Sequence, residues 1–124
     1  MELYEIFYWI GLILFGGYFL YNGIQHFVRR SGMVAYAKAM GVPQAEIAIL
    51  VTGLLLTLGG LGLIFQFHVL IALWFLVIFL VPVTFKMHPF WKMTDPATKA
   101  THKINFLKNL GLLGAVLMLM GIFG

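Results

Sequence analysis

The stretch that decides the fold is residues 45–85, AEIAILVTGLLLTLGGLGLIFQFHVLIALWFLVIFLVPVTF, in which Glu46 is the only charged side chain. A helix needs about 20 apolar residues to cross the hydrocarbon core of a bilayer. This stretch is therefore long enough to cross twice, and the polar residues near its middle, Gln66 and His68, leave room for only a very short turn. We expect two transmembrane helices that pack as a tight antiparallel hairpin.

Two further apolar stretches flank this hairpin in the sequence. Of the 124 residues, 62% are hydrophobic and only 10% are charged, whereas about a quarter of the residues of a soluble domain are charged. The sequence therefore predicts the all-α class: an integral membrane four-helix bundle that forms a single transmembrane domain over residues 1–124. The expected spans are residues 6–28, 45–67, 68–85 and 104–123.

The two longer connections between spans each favour a short helix at the membrane interface. In the first, Met33, Tyr36, Ala37 and Met40 recur at helical spacing, which is typical of a helix lying on the membrane surface. In the second, Trp91 suits an aromatic anchor at the level of the headgroups. The Asp95-Pro96 pair that follows is typical of a turn that opens another short helix.

The cations predict the orientation of the chain. All eight Lys and Arg residues fall in two windows, Arg29–Lys38 and Lys86–Lys108. Four crossings place both windows on one side, with only Glu2 and Glu5 on the other. The positive-inside rule then predicts cytoplasmic loops and outside termini. The N-terminus lacks the basic region of a signal peptide, so we expect the first apolar run to be retained as a span.

The composition also argues against several kinds of chemistry. The chain has no cysteine, which excludes disulfides, thiolate metal sites and covalent haem attachment. The pI of about 9.6 is explained by the topology, so a nucleic-acid partner is not expected. His26, His88, His102 and Glu46 lack the paired spacing of a haem or metal motif, and we expect neither haem nor metal.

Polar residues inside the predicted spans indicate where a ligand could bind. Asn22, Gln25 and His26 share one helix face, and the trio in the last span repeats that spacing at the same depth. Polar groups in hydrocarbon are costly and usually face a bundle interior or a wet cavity. The predicted ligand-binding residues are Asn22, Gln25, His26, Glu46, His88, Trp91, Asn105, Lys108 and Asn109, and the sequence names no catalytic residue.

Two interpretations of this polar cluster remain open. In the first, Lys108 or His26 donates to the head oxygens of a quinone or lipid, Asn22 and Asn109 orient the head, and the apolar outer half holds the tail. In the second, the amides join helices through interhelical hydrogen bonds, and Lys108 pairs with Glu46 or extends to the interface.

Four segments of the sequence resemble the DoxX family of small four-span membrane proteins. They are GGYFLYNGIQHF (16–27), YAKAMGVP (36–43), HPFWKMTDP (88–96) and INFLKNLGLLGAVLM (104–118). The resemblance marks His88, Trp91, Lys108 and Asn109 as family-like polar residues. The acidic residue that family members often carry in the second span is absent here, where Val51-Thr52-Gly53 stands instead.

The resemblance implies a location in the prokaryotic cytoplasmic membrane and a link to redox systems. Some family members are subunits of thiosulfate:quinone oxidoreductases, and others associate with redox or stress-defence complexes. We therefore expect a subunit associated with a quinone-linked oxidoreductase, with quinone as its possible cofactor. Its expected partners are membrane lipids, other membrane or redox subunits, or further copies of itself. The rival functions are a non-catalytic scaffold or assembly subunit and, if the protein oligomerises, a lipid or small-solute transporter.

Overall fold

A computed structural model describes all 124 residues, and it is entirely helical. Four of its helices are long and apolar enough to cross a membrane, which confirms the predicted all-α fold class. The elements are α1 (Leu3–Val28), α2 (Arg30–Ala39), α3 (Ala45–Ile64), α4 (Val69–Met87), a 3₁₀ turn (Phe90–Lys92) and α5 (Pro96–Phe123).

The helix bounds differ from the predicted spans at several ends, and α1 already begins at Leu3 rather than at residue 6. Helix α3 ends at Ile64 rather than at residue 67, and α4 continues beyond residue 85 to Met87. The short helix expected after Asp95 is not separate: it forms the first turns of α5, which runs without a break to Phe123. No proline follows Pro96, so nothing in the sequence interrupts the hydrogen-bond ladder between the polar start of α5 and its apolar part.

The two cationic connections lie at the same end of the bundle, which we call the basic end. Helix α2 of the first connection reaches α5 through Tyr36, whose hydroxyl lies 3.4 Å from Nε2 of His102. The opposite end carries the chain termini and the short turn between α3 and α4. There, Nε2 of Gln66 donates to the hydroxyl of Tyr8 across 3.3 Å.

Glycines allow α1 and α3 to pack against each other at backbone distance. A Cβ on Gly60 would lie 2.6 Å from the carbonyl oxygen of Gly16 and 2.6 Å from the backbone nitrogen of Leu20. A Cβ on Gly53 would lie 2.9 Å from Cβ of His26. Lipid is as apolar as leucine, so such van der Waals packing is a principal source of helix association in a membrane. We call this contact, formed by Gly16, Gly23, Gly53 and Gly60, the glycine seam.

The remaining helices follow in the order α3, α4 and α5, and α5 does not pack closely along α1. A fully apolar core joins all four long helices. The helix faces that point away from it carry many exposed large apolar side chains, as a lipid-facing surface requires. The buried core consists of Leu12, Phe19, Leu56, Leu63, Leu73, Leu76, Leu80 and Val116.

Candidate functional site: a polar cavity between α1 and α5

A cavity of about 160 Å³ lies where α1 and α5 fail to close the bundle. One side is formed by α1 and the other by α5, and α4 and the core residue Leu56 close it from behind. The lining is apolar apart from a small polar group at the basic end. The lining residues are Tyr18, Phe19, Asn22, Leu56, Phe79, Leu80, Val83, His88, Lys108, Asn109 and Leu112.

Asn109 is the most informative polar residue of this cavity. The residue is 7% exposed, and its amide makes no hydrogen bond within the protein, whereas the other buried side chain of this kind, His102, has a partner at each ring nitrogen. The enclosed side-chain polar atom without a partner is Oγ1 of Thr57, so the amide of Asn109 remains accessible from the cavity. A buried amide normally has its hydrogen bonds satisfied. Since Asn109 lines the cavity, its unused donors and acceptor face the space that a ligand would fill.

The other polar lining residues surround Asn109 from three elements. Lys108 precedes it on α5, and its side chain makes no ion pair. His88 caps the end of α4, and its imidazole lines the cavity at the basic end. Asn22 enters from α1, where its Nδ2 donates to the carbonyl oxygen of Tyr18 across 2.7 Å, which leaves its own side-chain oxygen free.

Hydrogen bonds between helices do not account for these amides. Asn22 bonds to its own helix, and Nδ1 of His26 donates to the carbonyl oxygen of Asn22 across 2.7 Å, also within α1. Glu46 forms its ion pair with Arg30 and not with Lys108. The interpretation in which the amides join helices therefore has no contact to support it here, and neither does the expected Lys108–Glu46 pair.

Five residues of the predicted set do not line the cavity. Gln25 and Asn105 are half-buried and make no side-chain hydrogen bond, and the ring of half-buried His26 packs edge-on to Phe79. Glu46 is 62% exposed and, with Arg30, lines a separate groove of about 580 Å³ on the surface beside α2. The structure thus brings four of the nine predicted residues together.

The fifth of these residues, Trp91, has a structural contact instead. The rings of Phe90 and Trp91 lie 5.3 Å and 5.5 Å from the ring of Phe106 on α5, and Phe85 adds a third edge-on contact at 5.4 Å. We call these four rings the aromatic clasp. Edge-to-face aromatic pairs of this kind are favourable beyond their buried area, so the clasp holds the chain after α4 against α5.

The clasp positions a histidine pair that sequence reasoning missed. His102 lies one helical turn before Phe106 on the same face of α5, and its Nδ1 is 3.1 Å from Nδ1 of His88. His102 is 9% exposed, and its Nε2 faces the hydroxyl of Tyr36. The sequence did contain a signal for the buried face of α5: His102, Asn109 and Val116 are spaced by seven residues, and they are the buried residues of this helix.

The histidines do not form a metal-binding cluster. His26 remains on α1 beside Phe79, Glu46 is paired with Arg30, and only His88 and His102 meet. No group of three or more His, Cys, Asp or Glu side chains is arranged to hold an ion. The chemistry available at the cavity is therefore hydrogen bonding, one ammonium charge and proton exchange through imidazole.

Comparison with known proteins identifies the family. Neither the curated proteins nor the solved structures provide a match to this chain. The DoxX family model matches residues 10–89, which is well over half of the chain and runs from α1 to Pro89. Helix α5, with Lys108 and Asn109, lies beyond the matched region. The chain belongs to the DoxX family, whose members are small multi-span membrane proteins.

Proposed function

We propose that this protein is a membrane subunit of a quinone-linked oxidoreductase system and that its cavity binds the quinone head. The observation that carries the proposal is the buried, unpartnered amide of Asn109 at the wall of the cavity. Its amide atoms remain accessible, since the only enclosed side-chain polar atom without a partner is Oγ1 of Thr57. A ligand oxygen that accepts from Nδ2 of Asn109 forms a hydrogen bond worth about 0.5–1.5 kcal/mol.

The size of the cavity fits one ring. A cavity of about 150 Å³ lined by apolar side chains can hold a benzene molecule, and this one measures about 160 Å³. The head of a benzoquinone is a single six-membered ring with two carbonyl oxygens. Leu56, Leu80 and Leu112 supply apolar walls for the ring.

The polar lining residues fit the carbonyl oxygens of such a ring. Lys108 and Asn109 are neighbours on α5, both line the cavity, and both side chains carry N–H donors. A quinone carbonyl only accepts hydrogen bonds, and its negative charge increases on reduction. An ammonium group therefore stabilises the reduced head more than the oxidised one.

The prenyl tail of a quinone needs a route into lipid, and the gap between α1 and α5 offers one. These two helices make little close backbone contact, and Tyr18 at the cavity wall is 40% exposed. A ring in the cavity can therefore keep its tail in the surrounding acyl chains. The head then sits in the basic half of the bundle, and the tail extends along the apolar half.

In this proposal the electrons come from a partner subunit. The chain has no cysteine to hold an iron–sulfur cluster or a covalent haem, so we assign it the quinone site and assign the redox centre to its partner. The proposed location is a prokaryotic cytoplasmic membrane, with both cationic connections in the cytoplasm. Alkaline phosphatase fused after Gly124 should then be active, and a fusion that is active only when inserted after Ser31 would reverse this orientation.

A pair of asparagine variants tests the quinone site. Asn109→Leu removes the unpartnered amide at nearly constant volume, and Asn105→Leu makes the same change on a half-buried residue of α5 that does not line the cavity. The binding of a short-tailed ubiquinone would be measured by titration of the protein in lipid nanodiscs. Co-purified quinones and lipids would be identified by mass spectrometry.

We expect Asn109→Leu to weaken ubiquinone binding about tenfold, because a lost hydrogen bond of about 1.4 kcal/mol corresponds to a factor of ten. Asn105→Leu should bind like the wild-type protein. Equal affinities in all three proteins would remove Asn109 from the site. A co-purified phospholipid that is lost in Asn109→Leu, without any quinone binding, would replace quinone with a lipid headgroup as the ligand.

A non-catalytic scaffold or assembly role is the second candidate, and the outer face of α5 favours it. Cβ atoms added to Gly111, Gly114 and Gly121 would meet nothing within 4 Å, so these positions are free for the close approach of another helix. Leucine substitutions at Gly111 and Gly121 should then reduce co-purification of a partner subunit. An unchanged complex from the double variant would count against this role.

A further inference from the structure

A chain of three side chains connects the surface of the basic end to the cavity. It starts at Tyr36 on α2, whose side chain is 46% exposed. The Tyr36 hydroxyl lies 3.4 Å from Nε2 of His102, and Nδ1 of His102 lies 3.1 Å from Nδ1 of His88. His88 in turn lines the cavity, so the chain crosses from α2 to α5 to the end of α4 without a gap.

The positions of these atoms allow two opposite directions of proton donation, and one of them points toward the cavity. Two nitrogens 3.1 Å apart form a hydrogen bond only if one of them carries a proton and the other a lone pair. When the Tyr36 hydroxyl donates to Nε2 of His102, the neutral ring of His102 carries its proton on Nδ1. It then donates to Nδ1 of His88, and the neutral ring of His88 carries its own proton on Nε2, the nitrogen left free for the cavity.

We propose that Tyr36, His102 and His88 form a proton relay that delivers protons from the basic-end surface to an oxygen of the ligand in the cavity. This inference rests on the proposed quinone site, since a quinone takes up two electrons and two protons to become a quinol. The electrons come from the partner's redox centre. The relay supplies the protons, which the apolar walls of the cavity cannot provide.

Each passage along the relay balances in protons and leaves no charge on the protein. The N–H bond at Nε2 of His88 breaks and an O–H bond forms on the reduced ligand. The proton on Nδ1 of His102 moves to Nδ1 of His88, the Tyr36 hydroxyl proton moves to Nε2 of His102, and solvent returns a proton to Tyr36. Both imidazoles have then exchanged tautomers, and each ring must reset before the second proton passes.

The surroundings of the pair suit this role. His102 is almost fully buried, so water does not replace it as an intermediate carrier. The aromatic clasp holds the segment after His88 against α5, one turn beyond His102. Lys108 also faces the cavity beside His88, and its positive charge favours neutral imidazoles over an imidazolium, as the tautomer relay requires.

The test compares proton delivery with ligand binding in His102→Gln. Glutamine keeps a donor and an acceptor but cannot exchange tautomers with its neighbours, so it retains hydrogen bonds and blocks the relay. The probe is a short-tailed ubiquinone bound to the protein in nanodiscs. Dithionite supplies the two electrons, and the rate of quinol formation is followed by absorbance in water and in deuterium oxide.

We expect His102→Gln to bind the quinone within twofold of wild type and to form quinol at least tenfold more slowly, with partial recovery on addition of imidazole. His68→Gln, at the opposite end of the bundle, is the matched control and should behave like wild type. An unchanged rate in His102→Gln with intact binding would overturn the relay alone. A wild-type protein that does not bind the quinone would overturn both the relay and the proposed function.

Discussion

Helix α1 has two very different neighbours. Toward α3 it forms the glycine seam, where carbonyl oxygens and side chains come so close that a single added methyl group would collide with the backbone. Toward α5 it stays apart, and the cavity occupies the space between them. Both contacts are made by the same helix, so the difference depends on which residues each face carries.

The two faces show how a small membrane bundle can be stable and still hold a ligand. On the seam side, Gly16 and Gly23 remove side-chain volume and let the backbones meet. On the cavity side, Phe19 and Asn22 hold the helices apart, and polar groups are left unpaired. Packing on the seam side therefore supplies stability, and the cavity side is where a bound head replaces missing contacts.

The largest expected effect on stability comes from adding one methyl group to the glycine seam. In Gly60→Ala the new Cβ would lie 2.6 Å from the carbonyl oxygen of Gly16. The backbones must then separate, and overpacking of this kind costs about 1–3 kcal/mol or more. The measurement is the free energy of unfolding in mixed detergent micelles.

Gly111→Ala is the matched control on α5. A Cβ at this position would meet nothing within 4 Å, so its free energy of unfolding should equal that of the wild-type protein or exceed it slightly, as expected for alanine in an open helix position. If both variants lost the same stability, the contrast between a closed seam and an open side would be wrong.

The next largest effect on stability concerns the aromatic clasp, which holds the segment after α4 against α5 at the basic end. Phe106→Ala removes the ring that Phe85, Phe90 and Trp91 all contact. We expect a loss of about 1–2 kcal/mol in unfolding free energy, because a partly buried aromatic ring and its edge-to-face pairs are lost together. Phe65→Ala is the control, since that ring is 72% exposed and its loss should cost under about 0.5 kcal/mol.

The same variant also connects the clasp to the histidine pair. If the clasp positions His88 against His102, Phe106→Ala should slow quinol formation in the dithionite experiment and also reduce stability. A variant that lost stability but kept the wild-type rate would show that the pair is held by other contacts.

The sequence was sufficient for the class of fold and for the number of long helices, because an apolar run of bilayer length admits few alternatives. It was weaker at the ends of helices. A helix was expected after Asp95-Pro96, but it was taken as separate from the last span, because residues 97–103 are mostly polar and end the hydropathy signal, although α5 continues through them. Hydropathy measures the preference of side chains for lipid, whereas the backbone hydrogen bonds of a helix can continue beyond the part that lies in lipid.

The site was only partly predictable for a related reason. The i, i+3, i+4 pattern gave equal weight to Asn105, Lys108 and Asn109, but Asn105 does not line the cavity and only Asn109 is buried. His102 and Tyr36 lie far apart in sequence, and only the packing of α2 against α5 shows that they meet. A pattern on one helix indicates which residues share a face, and the neighbouring helices decide which face becomes a cavity.

The smallest expected effect on stability concerns the first turn of α5, the helix that faces α1 across the cavity. Oδ2 of Asp95 accepts from the backbone nitrogen of Thr98 at 2.9 Å and from its hydroxyl at 2.8 Å. These bonds favour the carboxylate and hold the pKa of Asp95 below its ordinary value of 3.8. A lowered folded-state pKa stabilises the fold above the ordinary value, and this contribution disappears as the pH falls through the lowered one.

Asp95→Asn separates the cap from the charge, because asparagine caps a helix about as well as aspartate but does not titrate. At neutral pH its thermal midpoint in detergent should lie close to the wild-type value. On acidification below pH 3.8, the wild-type midpoint should fall by more than the variant's, since the two proteins differ only at residue 95. If the thermal midpoints of both proteins fell in parallel with pH, the charge of Asp95 would not stabilise the start of α5. The aromatic clasp and the packing against the 3₁₀ turn would then hold this end of the helix in place.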